Sequence, residues 1–289
     1  AEEVITALKH TWTRNWFELC NGELIVLSVK LHDNAKILNK KLYELTTAES
    51  QFHIAAIKRI HETIIPRGND EIGDIAYFTT TPNHIQEIQK LSGETEAEIH
   101  KIMIMGGGRI AIRISSYAPD NMAIKLIECD KQKSYKLAEY MNDIIIIQGD
   151  GRNVDLLKEE GIRDMDAFIA LTDSSETNIL ACLTAKELGV KKTIAEVENI
   201  QFISTAERLN IGNIINKKLL AASRIFQLLL DEDSSNAKCL ALSDAEVVEL
   251  VAKENSKITK AAVKDLKLPS DLTIGGLVRN GHGMVVTGN

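Results

Sequence analysis

From about residue 100 to 216 the chain alternates short apolar runs with amphipathic stretches. Ile102-Met103-Ile104-Met105, Ala123 to Ile127, Ile144-Ile145-Ile146-Ile147, Ala167-Phe168-Ile169-Ala170-Leu171 and Thr193 to Val197 have the length of strands, and Ile214-Ile215 suggests a sixth. Their near-continuous hydrophobicity is that of strands covered on both faces in a parallel sheet. The stretches between them predict helices near 109–117 and 154–160 and a third ending about Leu188. Strand and helix in turn specify an α/β fold, a doubly wound parallel-sheet lobe spanning about 100–216. Amphipathic stripes at about 1–18 and 217–230 predict two more helices. Core packing is the plain explanation for both, and the second is also placed for dimer contact.

Glycines give that lobe a chemical direction. The first strand runs directly into Gly106-Gly107-Gly108-Arg109-Ile110-Ala111, and the next strand ends in Glu128, twenty-two positions after Gly106. Strand, glycine turn, helix, strand and acid is the order of a dinucleotide site. In it Gly106 permits the tight turn, Gly108 lets backbone approach a pyrophosphate, and the helix from Arg109 offers free N–H groups and a positive dipole end. Ala111 stands at the third glycine position, where it governs how closely helix and strand pack. A carboxylate at Glu128 accepts two ribose hydroxyls and repels a 2′-phosphate, which favours NAD(H) or an adenosine nucleotide over NADP(H). Asp130 is the weaker neighbouring candidate. Each residue also has a bland alternative: a steric turn for the glycines, a solvated strand end for Glu128, a solvated helix start for Arg109.

An internal repeat surrounds the lobe. Asp33-Asn34-Ala35-Lys36-Ile37 matches Glu254-Asn255-Ser256-Lys257-Ile258, and Leu42 to Leu45 matches Val263 to Leu266, at an offset of 221 (Ile258 against Ile37). Ile54 to Arg59 then pairs with Ile274 to Arg279, and Gly68-Asn69 with Gly288-Asn289, one residue closer. Such spacing means duplicated domains rather than a solenoid. Each copy reads as a small α+β module of strand, helix and hairpin. The first copy continues through a strand near 70–78 and a helix near 83–91, whereas the second stops at Asn289, and Ala1 corresponds to Ala222. The expectation is a piece of a larger tandem protein, with a further nucleotide lobe ahead of Ala1. The expected divisions are 1–19, a helix trailing that lobe; 20–92, the first module; 100–230, the nucleotide lobe with its dimer helix; and 231–289, a shortened second module.

Composition removes other classes. The chain has 289 residues and a formal net charge of −7, with basic residues interspersed among acidic ones, which argues against nucleic acid as a partner. Cys20, Cys129, Cys182 and Cys239 form no C-x-x-C pair and suggest reduced thiols of a cytoplasmic protein, with neither a disulfide framework nor a metal site. No apolar run approaches the length of a membrane span, so direct membrane insertion is not expected. The seven histidines lack H-x-x-x-H spacing, and the positions four beyond Tyr135 and Tyr140 are Glu139 and Ile144 rather than lysine. A nucleophile elbow, a Walker lysine and a carboxylate dyad are likewise missing, so no catalytic residue is assigned.

The glycine loop, the strand ending Ile127-Glu128-Cys129-Asp130, the Gly149-Asp150-Gly151 turn and above all Thr172-Asp173-Ser174-Ser175-Glu176-Thr177-Asn178 resemble the regulator-of-potassium-conductance (RCK, or KTN) family. The modules resemble that family's C-terminal domain, and two lobe-plus-module units in one chain resemble the cytoplasmic NAD-binding regulatory subunits of Trk potassium uptake systems. The resemblance implies a homo-oligomeric regulator at the inner face of the cell membrane, with a Trk-type potassium transporter as partner and NAD(H), or ATP or ADP, as ligand. It implies a cofactor set of Gly106, Gly107, Gly108, Arg109, Ile110, Glu128, Cys129, Gly149, Asp150, Thr172 and Asp173. Arg109 would face phosphates and Glu128 the ribose. Glu196 departs from the family by standing where many members carry arginine, which removes a phosphate contact from that strand. Thr172, Asp173 and Ser174 are good helix caps whatever the function. Two alternatives remain: an NAD-dependent oxidoreductase, and the regulatory portion of a Kef-type potassium efflux system.

Overall fold

The computed structural model describes residues 1–47, 49–59, 62–66, 75–229, 234–239 and 245–287. Two compact units emerge: Ala1–Thr11 with Glu96–Lys218, and Trp12–Thr95 with Leu219–Asn289. Gly68, Asn69, Leu230, Gly288 and Asn289, invoked in the sequence argument, lie outside the described residues. No helix among the described residues is long and apolar enough to cross a membrane.

The chain opens with α1 (Glu2–Lys9), which belongs to the first unit and rests against the lobe through the buried residues Val4, Ala7 and Leu8. Lys192 Nζ donates to Thr11 O (2.8 Å) just beyond it. A helix expected to reach about residue 18 therefore ends at Lys9, and Asn15–Leu19 forms β1 instead. The reason is local: Phe17 and Leu19 point inward while Glu18 between them is exposed, a period of two rather than 3.6.

In the second unit β1 is followed by β2 (Leu24–Lys30), α2 (Leu42–Leu45), β3 (Phe52–Arg59), β4 (Glu62–Ile64), β5 (Ile75–Thr80) and α3 (Ile85–Ser92). The strands form an antiparallel sheet in the order β1-β2-β5-β3-β4. One face buries Leu27, Val29, Phe52, Ile54, Ile57 and Phe78 beneath Ile88 of α3, and the other carries Phe17, Leu24, Val26 and Tyr77.

The lobe then runs β6 (Lys101–Met105), α4 (Arg109–Tyr117), β7 (Ala123–Glu128), α5 (Lys131–Tyr140), β8 (Ile145–Gln148), α6 (Val154–Glu159), β9 (Ala167–Ala170), α7 (Ser175–Glu187), β10 (Lys192–Glu196), α8 (Ile200–Arg208) and β11 (Asn213–Ile215). Its six strands lie in the order β8-β7-β6-β9-β10-β11, every neighbour parallel. This is the doubly wound order, and its crevice opens where the order reverses, between the carboxyl ends of β6 and β9. Ile102, Ile104, Leu126, Phe168, Ile169 and Ile194 are wholly buried, as two-sided burial of the sheet requires.

After α9 (Lys217–Leu229) come β12 (Ser234–Cys239), β13 (Glu246–Leu250), β14 (Gly276–Arg279) and β15 (His282–Val285), paired as two separate two-stranded sheets. At the repeat offset, β13 falls on β2, the turn at Val263–Asp265 on α2, and β14 and β15 on β3 and β4.

Candidate nucleotide site

At the reversal point Gly106 adopts φ +101°, a left-handed conformation that a side chain would strain. A Cβ there would also stand 2.8 Å from Leu171 O at the end of β9. Gly107 is constrained differently, because its Cβ would run into the Leu137 side chain of α5 and stand 2.9 Å from Glu128 Oε2. Gly108, the N-cap of α4, faces open space: nothing lies within 4 Å of where its Cβ would be. The turn is thus packed tightly against the protein at Gly106 and Gly107 and open at Gly108, where backbone amides at a helix start meet solvent. That shape suits a phosphate group. Ala111 is wholly buried, consistent with a packing role.

Glu128 ends β7 with 4% of its surface exposed. Its Oε2 accepts from Gly107 N (2.9 Å) and pairs with Lys133 Nζ (2.7 Å), while Oε1 accepts from Asp130 N (2.9 Å) and the Cys129 thiol (3.5 Å). Burial opposes its charge, but the Lys133 ammonium and the two backbone N–H groups outweigh that and hold its carboxyl below the ordinary carboxylate range. Glu128 is therefore ionised at neutral pH and bonded directly to the glycine turn. A merely solvated strand end would be neither buried nor so bonded. Asp130 instead caps α5, accepting from Lys133 N (2.9 Å).

Two further loops share this edge. Gly149 N donates to Glu128 O (3.0 Å), and a Cβ on Gly151 would collide with the Met105 side chain, so the 149–151 turn lies against the end of β6. Asp150 is exposed and gripped by Arg152 through Nε and Nη2 (2.9 and 2.7 Å), which holds its carboxyl low. On the other side, the wholly buried Asn178 binds Thr172 three ways: Oδ1 accepts from Thr172 N (3.0 Å) and Oγ1 (2.6 Å), and Nδ2 donates to Thr172 O (2.8 Å). Asn178 Nδ2 also reaches Glu196 O (2.8 Å). Ser174, not Asp173, caps α7 by accepting from Thr177 N (3.1 Å), and Ser175 Oγ accepts from Glu198 N and Asn199 N (3.0 and 3.2 Å). The Thr172–Asn178 segment is a polar knot that sets the shape of the crevice wall.

Gly106, Gly107, Glu128, Cys129, Gly149 and Thr172 are thus gathered at one edge. Arg109 and Asp173 are exposed on the rim, and Ile110 is half-buried within α4. Glu196 is buried and bonded to Lys217 Nζ at the start of α9 (2.6 Å), a pairing that raises the lysine's pKa and gives this acid an anchoring role. Two residues that matter were not singled out as such from sequence. Asn178 enters the sequence argument only as the last member of the Thr172–Asn178 segment, and Lys133 does not enter it, although a lysine five positions past a strand-end acid, in the first turn of the next helix, is a legible signal.

Residues 102–217 match the TrkA-N domain family. The Trk system potassium uptake protein TrkA of Vibrio alginolyticus is 33% identical over 231 residues, covering 78% of this chain and 50% of that protein. TrkA homolog 2 of Methanosarcina mazei is 24% identical, covering 100% of this chain and 65% of its own length. The chain therefore spans about half to two-thirds of these relatives. Among solved structures, the GsuK RCK domain superposes with a TM-score of 0.53 at 17% identity, covering 78% of this chain and 50% of that one. The GsuK channel bound to NAD gives a TM-score of 0.52 at 16% identity, covering 78% and 41%. The lobe matches the TrkA-N domain family and shares the fold of RCK domains, and the chain is similar to Trk potassium uptake proteins over most of its length.

Proposed function

We propose that this chain, built around its TrkA-N domain, is the nucleotide-sensing part of a regulatory subunit that binds NAD(H), in competition with ATP or ADP, and gates a Trk-type potassium transporter. In this reading it works as a homo-oligomer on the cytoplasmic face of the membrane and turns over no substrate. The observation that supports it best is Glu128: a buried, ionised carboxylate bonded to the glycine turn at the reversal point of a doubly wound sheet. A ribose diol is the natural donor for such an acceptor. Gly108 and the first turn of α4 would hold the diphosphate, with Arg109 at its side, while Gly107 N holds Glu128 in place. The rim residues Asp150, Thr172 and Asp173 would close over the ligand, with the Thr172 backbone held in place by Asn178. NAD supplies hydride chemistry when bound to an oxidoreductase. Here its role would be to favour one arrangement of the oligomer, and a coupling of about 1–3 kcal/mol would change the partner's activity roughly five- to 150-fold.

Isothermal titration with NADH, NAD, ATP and ADP tests the ligand. Glu128→Ala is expected to weaken the preferred ligand about ten- to a hundred-fold, the effect of losing hydrogen bonds to a charged acceptor, roughly 1.5–3 kcal/mol. Unaltered binding of all four ligands by that variant rejects the ribose assignment. NADH recovered unchanged after incubation with small carbonyls supports a sensor, and substrate-dependent oxidation supports the oxidoreductase alternative. Gating is tested by potassium flux in proteoliposomes holding the transporter and the longer parent protein. A flux indifferent to NADH and ATP refutes it.

A further inference from the structure

The four contacts on Glu128 fill its carboxylate. A carboxylate has about four acceptor positions, and Gly107 N, Asp130 N, the Cys129 thiol and Lys133 Nζ take them all. An arriving ribose must displace a donor before it can bond. Gly107 N is fixed by a turn with no room for a side chain, and Asp130 N by the capped start of α5. Lys133 is different: its ammonium is carried on a flexible four-carbon stem with 47% of the side chain exposed. It is the donor that can leave. Once released it remains tethered to the first turn of α5, beside the ribose edge that Glu128 holds. Arg152 is already paired with Asp150.

We propose that Lys133 is a specificity-determining residue of this site: the ribose hydroxyls, two in NAD(H) and the 3′-hydroxyl alone in NADP(H), displace its ammonium from Glu128, and the displaced ammonium receives the 2′-phosphate of NADP(H), so that the site accepts NADP(H) as well as NAD(H). This rests on the nucleotide reading above and revises the expectation that Glu128 alone would exclude the phosphorylated cofactor. A lone carboxylate repels a 2′-phosphate. The same carboxylate with an ammonium at its side presents no net charge to it, and a cation near the strand-end position is what accommodates a 2′-phosphate in dinucleotide folds.

Titration of this chain and its Lys133→Met and Lys133→Arg variants with NADH and NADPH decides it. The unaltered chain is expected to bind NADPH within about ten-fold of NADH. Lys133→Met should move the two ligands in opposite directions, NADH a few-fold tighter because its diol no longer displaces an ammonium, and NADPH at least ten-fold weaker, equal to about 1.4 kcal/mol. Lys133→Arg should keep the NADPH binding. A merely structural lysine would weaken both ligands alike, and that result overturns the proposal. So does an NADPH-to-NADH ratio that Lys133→Met leaves unchanged, or an unaltered chain that binds NADH but no NADPH. If the unaltered chain binds neither NADH, NADPH nor ATP, the nucleotide reading itself fails and takes this inference with it.

Discussion

The two copies of the repeat share a pattern of residues and differ in what that pattern buries. In the first copy β5 lies between β2 and β3 and pairs with both, which joins two hairpins into one five-stranded sheet with a core on each face. In the second copy the counterparts of those hairpins, β12–β13 and β14–β15, are two separate sheets among the described residues. Exposure follows from this. Leu27 and Val29 on β2 are wholly buried, whereas their counterparts at the repeat offset, Val248 and Leu250 on β13, are 38% and 67% exposed. In the first copy burial goes with the pairing of β5 to both β2 and β3, and the same apolar pattern in the second copy is more exposed.

Emptying that central strand should give the largest effect. Phe78 is wholly buried and packs edge-to-face on Phe52 at 5.9 Å, so Phe78→Ala is expected to destabilise this unit by about 3–5 kcal/mol. Urea unfolding followed by tryptophan fluorescence reads it selectively, because both tryptophans, Trp12 and Trp16, lie in this unit. A loss below about 1 kcal/mol would mean β5 is not the organising strand.

The next effect joins the copies. His53 of β3 bonds Thr273 Oγ1 (3.1 Å), and burial pushes its imidazole down to about 4. The unfolded chain protonates this histidine near its ordinary value of about 6.5 while the folded chain does not, so stability is full above that pH and falls as pH drops towards 4, by about 3 kcal/mol in total. His53→Gln should flatten that slope in unfolding curves measured between pH 4 and 7; an unchanged slope assigns it to other groups. The smallest effect is predicted for the second copy itself. Leu250→Ala at its exposed position should change stability by no more than about 0.5 kcal/mol, and a loss comparable with that of Phe78→Ala would show that this strand is covered in solution.

Sequence reading captured the lobe better than the modules, for a physical reason. Strands such as Ile102–Met105 and Ala167–Ala170 are buried on both faces, so their hydrophobicity is continuous and visible locally, and the glycine turn and Glu128 sit at fixed distances along the chain. In the modules the deciding contacts are distant: β5 inserts between strands that precede it, and β1 was hidden in an apolar stripe shared with α1. At the site, positions were legible but partners were not. The spacing of Lys133 from Glu128 is a local signal of one pairing, but nothing local states that Asn178 holds Thr172, because that pairing exists only once α7 packs on the sheet.

The placement of α1 also bears on how the chain is made. Its buried residues Val4, Ala7 and Leu8 belong to the unit completed by β11, which emerges from the ribosome about two hundred residues later. At about 5–20 residues per second, that face waits roughly ten to forty seconds for its surroundings. The whole antiparallel sheet, β1 to β5, is synthesised in the interval. The face of α1 that packs in this unit therefore gains its last partners, β10 and β11, late in synthesis, and the lobe closes only when its last strand is out.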